Sequence, residues 1–183
     1  MGADDDHQRF QVLYQRCWQP VFAYVLRRSA DHFAAEDVVA EVFATAWRRL
    51  ADVPEGRELP WLYGVARNTL SNSRRGQLRR ARLTQRYLDH TLTIGDLADA
   101  PEDDAAQLER LRIGLAQLDD TELELLRLAV WEGLTHVEIA EVVRTTESAV
   151  TGRLHRARRK VAQIVARDEW PHEGKTIPKS GSS

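Results

Sequence analysis

The sequence lacks features that several classes of protein require. It contains a single cysteine, Cys17, which excludes an internal disulfide and a zinc site built from several cysteines. No apolar run approaches the roughly 20 residues that cross a bilayer, and the acidic start MGADDDHQRF does not have the pattern of a signal peptide. We therefore expect a cytoplasmic protein without membrane insertion.

Catalytic motifs and a surplus of positive charge are missing as well. The 26 Lys and Arg residues are outnumbered by 28 Asp and Glu residues, which gives a formal net charge of -2. The six histidines show no metal-ligand spacing with one another, and neither a nucleophile motif nor a glycine-rich phosphate loop occurs. The sequence therefore predicts no enzyme activity, no metal and no cofactor.

Apolar residues recur at helical spacing through most of the chain. Between Phe33 and Leu50 they follow the three-and-four spacing that lines one helix face. An upstream helix contains Pro20, which predicts a kink or a break, and a helix beginning near Trp61 is expected to be interrupted near Gly76. Because strand alternation is nowhere sustained, these patterns predict an all-α fold.

The distribution of charge divides the chain into two small helical domains. Residues 67–90 contain seven arginines and one acid, whereas residues 96–109 contain six acids and no base. The acidic segment, which includes a proline, is typical of a flexible linker. The predicted organisation is a disordered N-terminus at 1–9, a first domain at 10–92, a linker at 93–107, a second domain at 108–168 and a flexible tail at 169–183.

Two short helices joined by a tight turn are predicted in the second domain. Thr135 and Glu138 have the spacing of a capping box, in which each side chain satisfies a backbone N–H of the other residue. A helix through Val143, a turn at 144–145 and a second helix capped by Thr146 complete a helix-turn-helix pattern.

The second helix of this pair has an apolar face and a polar face. Val150, Leu154, Ala157 and Val161 form the inward stripe at ~100° per residue. In a helix-turn-helix the opposite face enters the major groove, where small residues permit close approach and arginines donate to base edges or phosphates. An ordinary solvated face is the alternative, but the capped pair and short turn favour DNA binding. The predicted DNA-binding residues are Ser148, Thr151, Gly152, Arg153, His155, Arg156 and Arg159.

Stretches in both halves resemble the promoter-binding domains of group IV, or extracytoplasmic-function, sigma factors of bacterial RNA polymerase. AAEDVVAEVFATAWRRL and PWLYGVARNTLSNSRRG resemble sigma region 2, and LAQLDDTELELLRLAVWEGLTHVEIAEVV with the following helix resembles sigma region 4. The resemblance implies a holoenzyme subunit that directs transcription initiation by recognising the −10 and −35 promoter elements. It also implies binding to the largest-subunit coiled coil and the flap region of core polymerase, and control by an anti-sigma factor.

Three positions depart from the family pattern. Arg144 stands where the turn usually has glycine, and Ser148 with Ala149 replaces a usual Gly-Thr pair. Asn72 stands where an aspartate is often found. These departures concern the promoter sequence rather than the fold.

The resemblance assigns polymerase docking to Asp37, Ala40 and Glu41, with Ala40 where a glutamine is common. Carboxylates spaced i and i+4 share one helix face, so both can meet a basic partner. Spacing alone favours a simpler interpretation, in which the two acids are solvated on an amphipathic helix.

The resemblance assigns the −10 element to the loop ADVPEGREL and to Asn68 on the following helix. A flipped base exposes its Watson–Crick edge to an amide or to loop backbone, and nearby arginines can hold the phosphates of the strand. Asn72 either adds a second amide to this face or is a solvated polar residue. The arginines, which could otherwise be plain surface charge, are Arg74, Arg75, Arg79 and Arg80.

Two other functions compete with promoter recognition. A stand-alone helix-turn-helix regulator leaves PWLYGVARNTLSNSRR unexplained. A sigma-like interaction module that never binds DNA should lack the arginine cluster or the recognition face, and both are present. The sequence therefore favours a sigma factor.

Overall fold

A computed structural model describes residues 3–81 and 102–166. In these two ranges the chain is helical and contains no strand, which confirms the all-α prediction. The predicted tail at 169–183 and residues 93–101 of the predicted linker lie outside the described residues. The helices are α1 Ala3–Leu26, α2 His32–Arg48, α3 Glu58–Ala81, α4 Glu102–Ala116, α5 Asp120–Val130, α6 His136–Val143 and α7 Glu147–Val165.

The first domain consists of α1, α2 and α3, each packed against the other two. Asp31 begins α2 as its N-cap, because its carboxylate accepts a hydrogen bond of 2.8 Å from the backbone N–H of Ala34. The predicted apolar stripe is buried except at Trp47, which is 45% exposed. Its buried members are Val38, Val39, Val42, Phe43, Ala46 and Leu50. The fully buried side chains of this domain include Val21, Tyr24, Val25, Val42 and Leu62.

The structure changes two of the predicted boundaries. Residues 3–9, expected to be disordered, form the first turns of α1. Residues 102–107, expected to belong to the linker, begin α4. Both segments are acidic, and carboxylates near a helix N-terminus interact favourably with the helix dipole. At both positions the acidic composition therefore accompanies a helix start.

Two residues that commonly disrupt helices do not end them in this chain. α1 continues through Pro20, so there is no break, although proline removes one backbone donor. The interruption predicted near Gly76 is wrong, because α3 continues to Ala81. Glycine costs a helix only about 1 kcal/mol relative to alanine, and the neighbouring arginines, glutamine and leucine are good helix formers.

The second domain consists of α4 to α7, with α7 packed against each of the other three helices. A capping box that the sequence analysis did not anticipate joins Asp119 and Glu122 at the start of α5. Glu122 also accepts hydrogen bonds of 2.8 and 2.7 Å from the Lys160 ammonium, which fixes α7 to α5. The fully buried side chains include Leu125, Leu128, Ile139, Val150 and Leu154.

The turn between α6 and α7 forces Arg144 into the left-handed backbone region, with φ 56° and ψ 57°. Its N–H is donated to the carbonyl groups of Ala140 and Glu141, which ends α6. Glycine adopts this conformation without the steric cost that a Cβ imposes. Arg144 is therefore a less favourable residue for this turn than glycine would be.

Arg144→Gly is therefore expected to raise the free energy of unfolding by up to about 1 kcal/mol. Relief of a left-handed conformation is worth roughly 1–2 kcal/mol, and the extra unfolded-state entropy of glycine offsets roughly 0.5–1 kcal/mol. Urea denaturation measures the change. The matched control is Arg158→Gly at an exposed interior position of α7, which should lower stability by about 1 kcal/mol. Equal losses in both variants would contradict the prediction.

Candidate DNA-binding and protein-docking surfaces

The helix-turn-helix is fixed by hydrogen bonds at the start of each helix. The N–H of Thr135 donates to Glu138 Oε2 at 2.8 Å, and the N–H of Glu138 donates to Thr135 Oγ1 at 3.3 Å, which confirms the predicted capping box. Hydrogen bonds from the Thr135 hydroxyl and N–H lower the pKa of Glu138. Thr146 caps α7 by accepting from the N–H of Ala149 at 3.3 Å. The starts of α6 and α7 are thus fixed by hydrogen bonds between residues close in sequence.

The two faces of α7 are arranged as the periodicity predicts. Val150, Leu154 and Ala157 are fully buried, and Val161 is partly buried. On the other side the predicted DNA-binding residues form a continuous surface. Of these residues, Ser148, Thr151, Arg153, His155, Arg156 and Arg159 are exposed and Gly152 is half-buried. A helix that presents small residues followed by cations on its free face has the chemistry needed to enter a DNA groove.

The sequence analysis did not identify one contact on this surface, which involves His136. Nδ1 of His136, at the start of α6, lies 2.9 Å from Oγ1 of Thr151 on α7. This hydrogen bond restricts the Thr151 hydroxyl at the edge of the recognition face. The two residues are 15 positions apart, on different helices, so no periodic signal could have paired them.

The loop between α2 and α3 has a defined conformation. The N–H of Arg57 donates to the carbonyl of Pro54 at 3.3 Å, closing a turn in which Gly56 has φ 74°. A positive φ at the third position is the geometry of a type II turn, which favours glycine. Val53 is buried, and Arg9 Nη2 donates to its carbonyl at 2.9 Å. The turn is therefore held to α1 through Val53, while Pro54, Glu55 and Gly56 remain exposed.

The predicted −10 residues lie along α3. Asn68 is half-buried and Asn72, one turn later on the same face, is exposed. The backbone of α3 also carries the four predicted phosphate-binding arginines, whose side chains lie outside the described residues. The structure thus places the loop just before the N-terminus of α3 and the two asparagines near the middle of that helix, and leaves the arginines as a prediction.

The predicted docking residues share the outer face of α2. Asp37, Ala40 and Glu41 are all exposed, whereas Val38 and Val42 point into the core. Neither carboxylate takes part in a salt bridge with any other residue that the structure describes. Both charges therefore remain available to a basic partner.

Comparisons with known proteins identify the family of this chain. The family model described as sigma-70 region 2 matches residues 13–80, and the one described as sigma-70, region 4 matches residues 108–161. The ECF RNA polymerase sigma factor SigL of Mycobacterium tuberculosis is 30% identical over 152 residues, covering 80% of this chain and 83% of SigL. The probable RNA polymerase sigma factor RfaY of Xanthomonas campestris is 30% identical over 82% of this chain, which spans 39% of RfaY.

Among solved structures, the sigma factor RpoE in its complex with the anti-sigma factor NepR from Bartonella quintana has the same fold, with a TM-score of 0.63. Its sequence identity is 18%, and the match covers 92% of this chain and 100% of that one. The chain belongs to the extracytoplasmic-function group of the sigma-70 family of RNA polymerase sigma factors. Such factors direct transcription initiation and are regulators rather than enzymes.

Two features are absent from the residues that the structure describes. None of their helices combines the length and the apolar character of a membrane span. No group of three or more His, Cys, Asp or Glu side chains within 3–81 and 102–166 is arranged to hold a metal ion.

Proposed function

We propose that this sigma factor recognises the −35 element with α7 and the −10 element with the α2–α3 loop and α3, while α2 docks on core polymerase. The observation that carries the proposal is the free polar face of α7, held by two capped helix starts and backed by buried Val150 and Leu154. Its small residues precede its cations, so the N-terminal half can approach base edges while the arginines reach phosphates.

The two DNA sites differ in the form of DNA that they suit. α7 is a helix of 19 residues whose exposed face suits the major groove of a duplex. Groups suited to an unpaired base are instead offered by the backbone of the turn at Pro54–Arg57 and by the side-chain amides of Asn68 and Asn72. This difference supports recognition of duplex DNA at −35 and of the opened strand at −10.

The free protein is expected to bind promoter duplex weakly and to select a start site only with core polymerase. Phosphate neutralisation supplies most nonspecific affinity, and the net charge of -2 gives this chain little of it. Polymerase would hold both domains on one DNA and so raise their effective concentration. Gel-shift titrations at physiological salt, with and without core polymerase, followed by start-site mapping, measure both effects. Tight sequence-specific binding by the free protein would contradict the proposal.

We also propose that an anti-sigma factor holds the protein inactive in the cytoplasm. The solved RpoE structure contains an anti-sigma factor, and both domains of this chain expose large apolar side chains that a clamping partner can cover. These side chains include Tyr14, Trp18, Phe33 and Trp47 in the first domain and Val130, Trp131 and Val137 in the second. Pull-downs from the native host under non-inducing conditions that recovered only polymerase would overturn this proposal.

A further inference from the structure

The hydrogen bond between His136 and Thr151 ties α7 to the helix before it. His136 is the first residue of α6, directly after the N-cap Thr135, and Nδ1 of its ring lies 2.9 Å from the Thr151 hydroxyl. His136 is half-buried, whereas Thr151 is exposed among the predicted DNA-binding residues. A side chain outside the predicted DNA-binding set thus holds a side chain that belongs to it.

The backbone that carries His136 is itself held in place. Thr135, which precedes it, exchanges hydrogen bonds with Glu138 in the capping box, and the Thr135 hydroxyl also donates to the Glu138 carboxylate at 2.7 Å. The next residues of the same turn, Ile139 and Ala140, are buried in the core. A ring carried on a turn that is fixed in this way can hold its hydrogen-bond partner in one place.

A threonine hydroxyl on an exposed helix face does not have a single position by default. In a helix, threonine divides between two χ1 rotamers, because its hydroxyl can bond to the carbonyl three or four residues earlier. For Thr151 these carbonyls belong to Ser148 and Glu147. The bond to Nδ1 of His136 favours the one rotamer that reaches α6. Because the hydroxyl and the methyl group share one Cβ, this bond fixes the position of both.

Both groups of the Thr151 side chain are of the kind that read bases in the major groove. A threonine hydroxyl can donate to a base edge or accept from one, and its methyl can contact the methyl group of thymine. Thr151 lies one turn after Glu147, the first residue of α7, in the part of a recognition helix that contacts base edges. A group that is ordered before binding loses less conformational entropy on contact, so the hold on Thr151 favours recognition.

We infer that His136 is a positioning residue for −35 recognition, which sets the rotamer of Thr151 so that Thr151 reads one base pair. His136 acts through Thr151 and not through a contact of its own with DNA. The effect on −35 recognition rests on the proposed function, whereas the hold on the Thr151 rotamer rests on the contact between α6 and α7 alone.

Base discrimination by the holoenzyme tests the inference. His136→Phe keeps a ring but removes the hydrogen-bonding nitrogen, and Thr151→Val keeps the branched shape but removes the hydroxyl. On duplexes that carry every single substitution of the −35 element, each variant should lose discrimination by about fivefold at one and the same base pair, which is the worth of a typical hydrogen bond. The double variant should lose no more than either single variant, because the two residues act as one unit.

The matched variant is His136→Asn, whose amide stands as many bonds from Cβ as Nδ1 does and should recover part of the discrimination. Equal losses in His136→Asn and His136→Phe would overturn the inference, because the ring and not the hydrogen bond would then matter. Uniform weakening on every sequence in His136→Phe would do the same, since it indicates a phosphate contact by His136 itself. So would losses at different base pairs, or additive losses in the double variant.

A measurement without DNA separates this inference from the proposed function. Three-bond couplings from the Thr151 methyl carbon to the backbone nitrogen and carbonyl carbon report its χ1 rotamer in the free full-length protein. The wild type should show one rotamer and His136→Phe a mixture, with helical content checked by circular dichroism. A mixture in the wild type, or an unchanged single rotamer in the folded variant, would contradict the inference. If no −35 substitution affected binding by the wild-type holoenzyme, the proposed function would fail instead, and the couplings would still test the hold on Thr151.

Discussion

Replacing Asp37 and Glu41 together by lysine is expected to lower the affinity for core polymerase by at least about tenfold, because placing like charges against a basic partner costs well over the 1.4 kcal/mol that corresponds to that factor. The two carboxylates are one turn apart on the exposed face of α2, so both reversals act on the same contact. Transcription should fall at every promoter alike, since holoenzyme assembly precedes recognition of DNA. Titration of labelled core polymerase and transcription from several templates measure the two effects.

The matched control for this prediction is Asp4→Lys with Asp5→Lys at the exposed N-terminal turn of α1. It changes the net charge by the same amount but leaves the α2 face intact, so affinity for core should remain close to that of the wild type. A similar loss in both double variants would show that net charge, and not the α2 face, governs docking. All four substituted residues are exposed, so no buried contact is lost and both double variants should keep their helical content.

Arg156→Ala is expected to weaken −35 recognition in duplex DNA by about 1–3 kcal/mol, the cost of losing a good base contact. Arg156 is exposed on the free face of α7, and His155→Ala should have an effect at the same element. Base substitutions within −35 should matter less in these variants than in the wild type. Closed-complex binding on a set of −35 mutants measures this loss of discrimination.

Asn68→Ala should impair opening at the −10 element and leave −35 binding nearly intact, because Asn68 lies on α3 in the other domain. The control for Arg156→Ala is Arg158→Ala, because Arg158 is exposed on α7 but lies outside the predicted recognition set. A phosphate contact there would weaken binding uniformly across sequences. If Arg156→Ala left the −35 mutants with their wild-type effects, or Asn68→Ala reduced core affinity as much as the α2 reversal, the assignment of sites would be wrong.

Local features of this fold were predictable because their causes lie within a few residues. The capping box at Thr135 and Glu138, the cap at Thr146 and the buried stripe of α7 all depend on spacings of four or less, which a sequence displays directly. The length of α3 was underestimated because Gly76 was weighed without the helix-forming residues on both sides of it.

Contacts between distant segments could not be predicted in the same way. Arg27 and Arg28, which follow α1 in the first domain, form salt bridges with Glu124 and Glu132 in the second. Each of these residues alone is compatible with a solvated surface. The hydrogen bond between His136 and Thr151 likewise depends on how α6 crosses α7, which periodicity does not specify. Only the tertiary arrangement brings such charges and hydroxyls together.

The buried apolar cluster runs from the first domain into the second without interruption, joining Leu62 and Ala66 of α3 to residues such as Ile139 and Val142 of α6. Two domains that share one core unfold together, because exposing either half of the core removes support from the other. The protein should therefore melt in a single calorimetric transition. Each domain alone is a unit of roughly 60 to 80 residues, a size at which a core is marginal, so the shared core supplies stability that neither domain would have by itself.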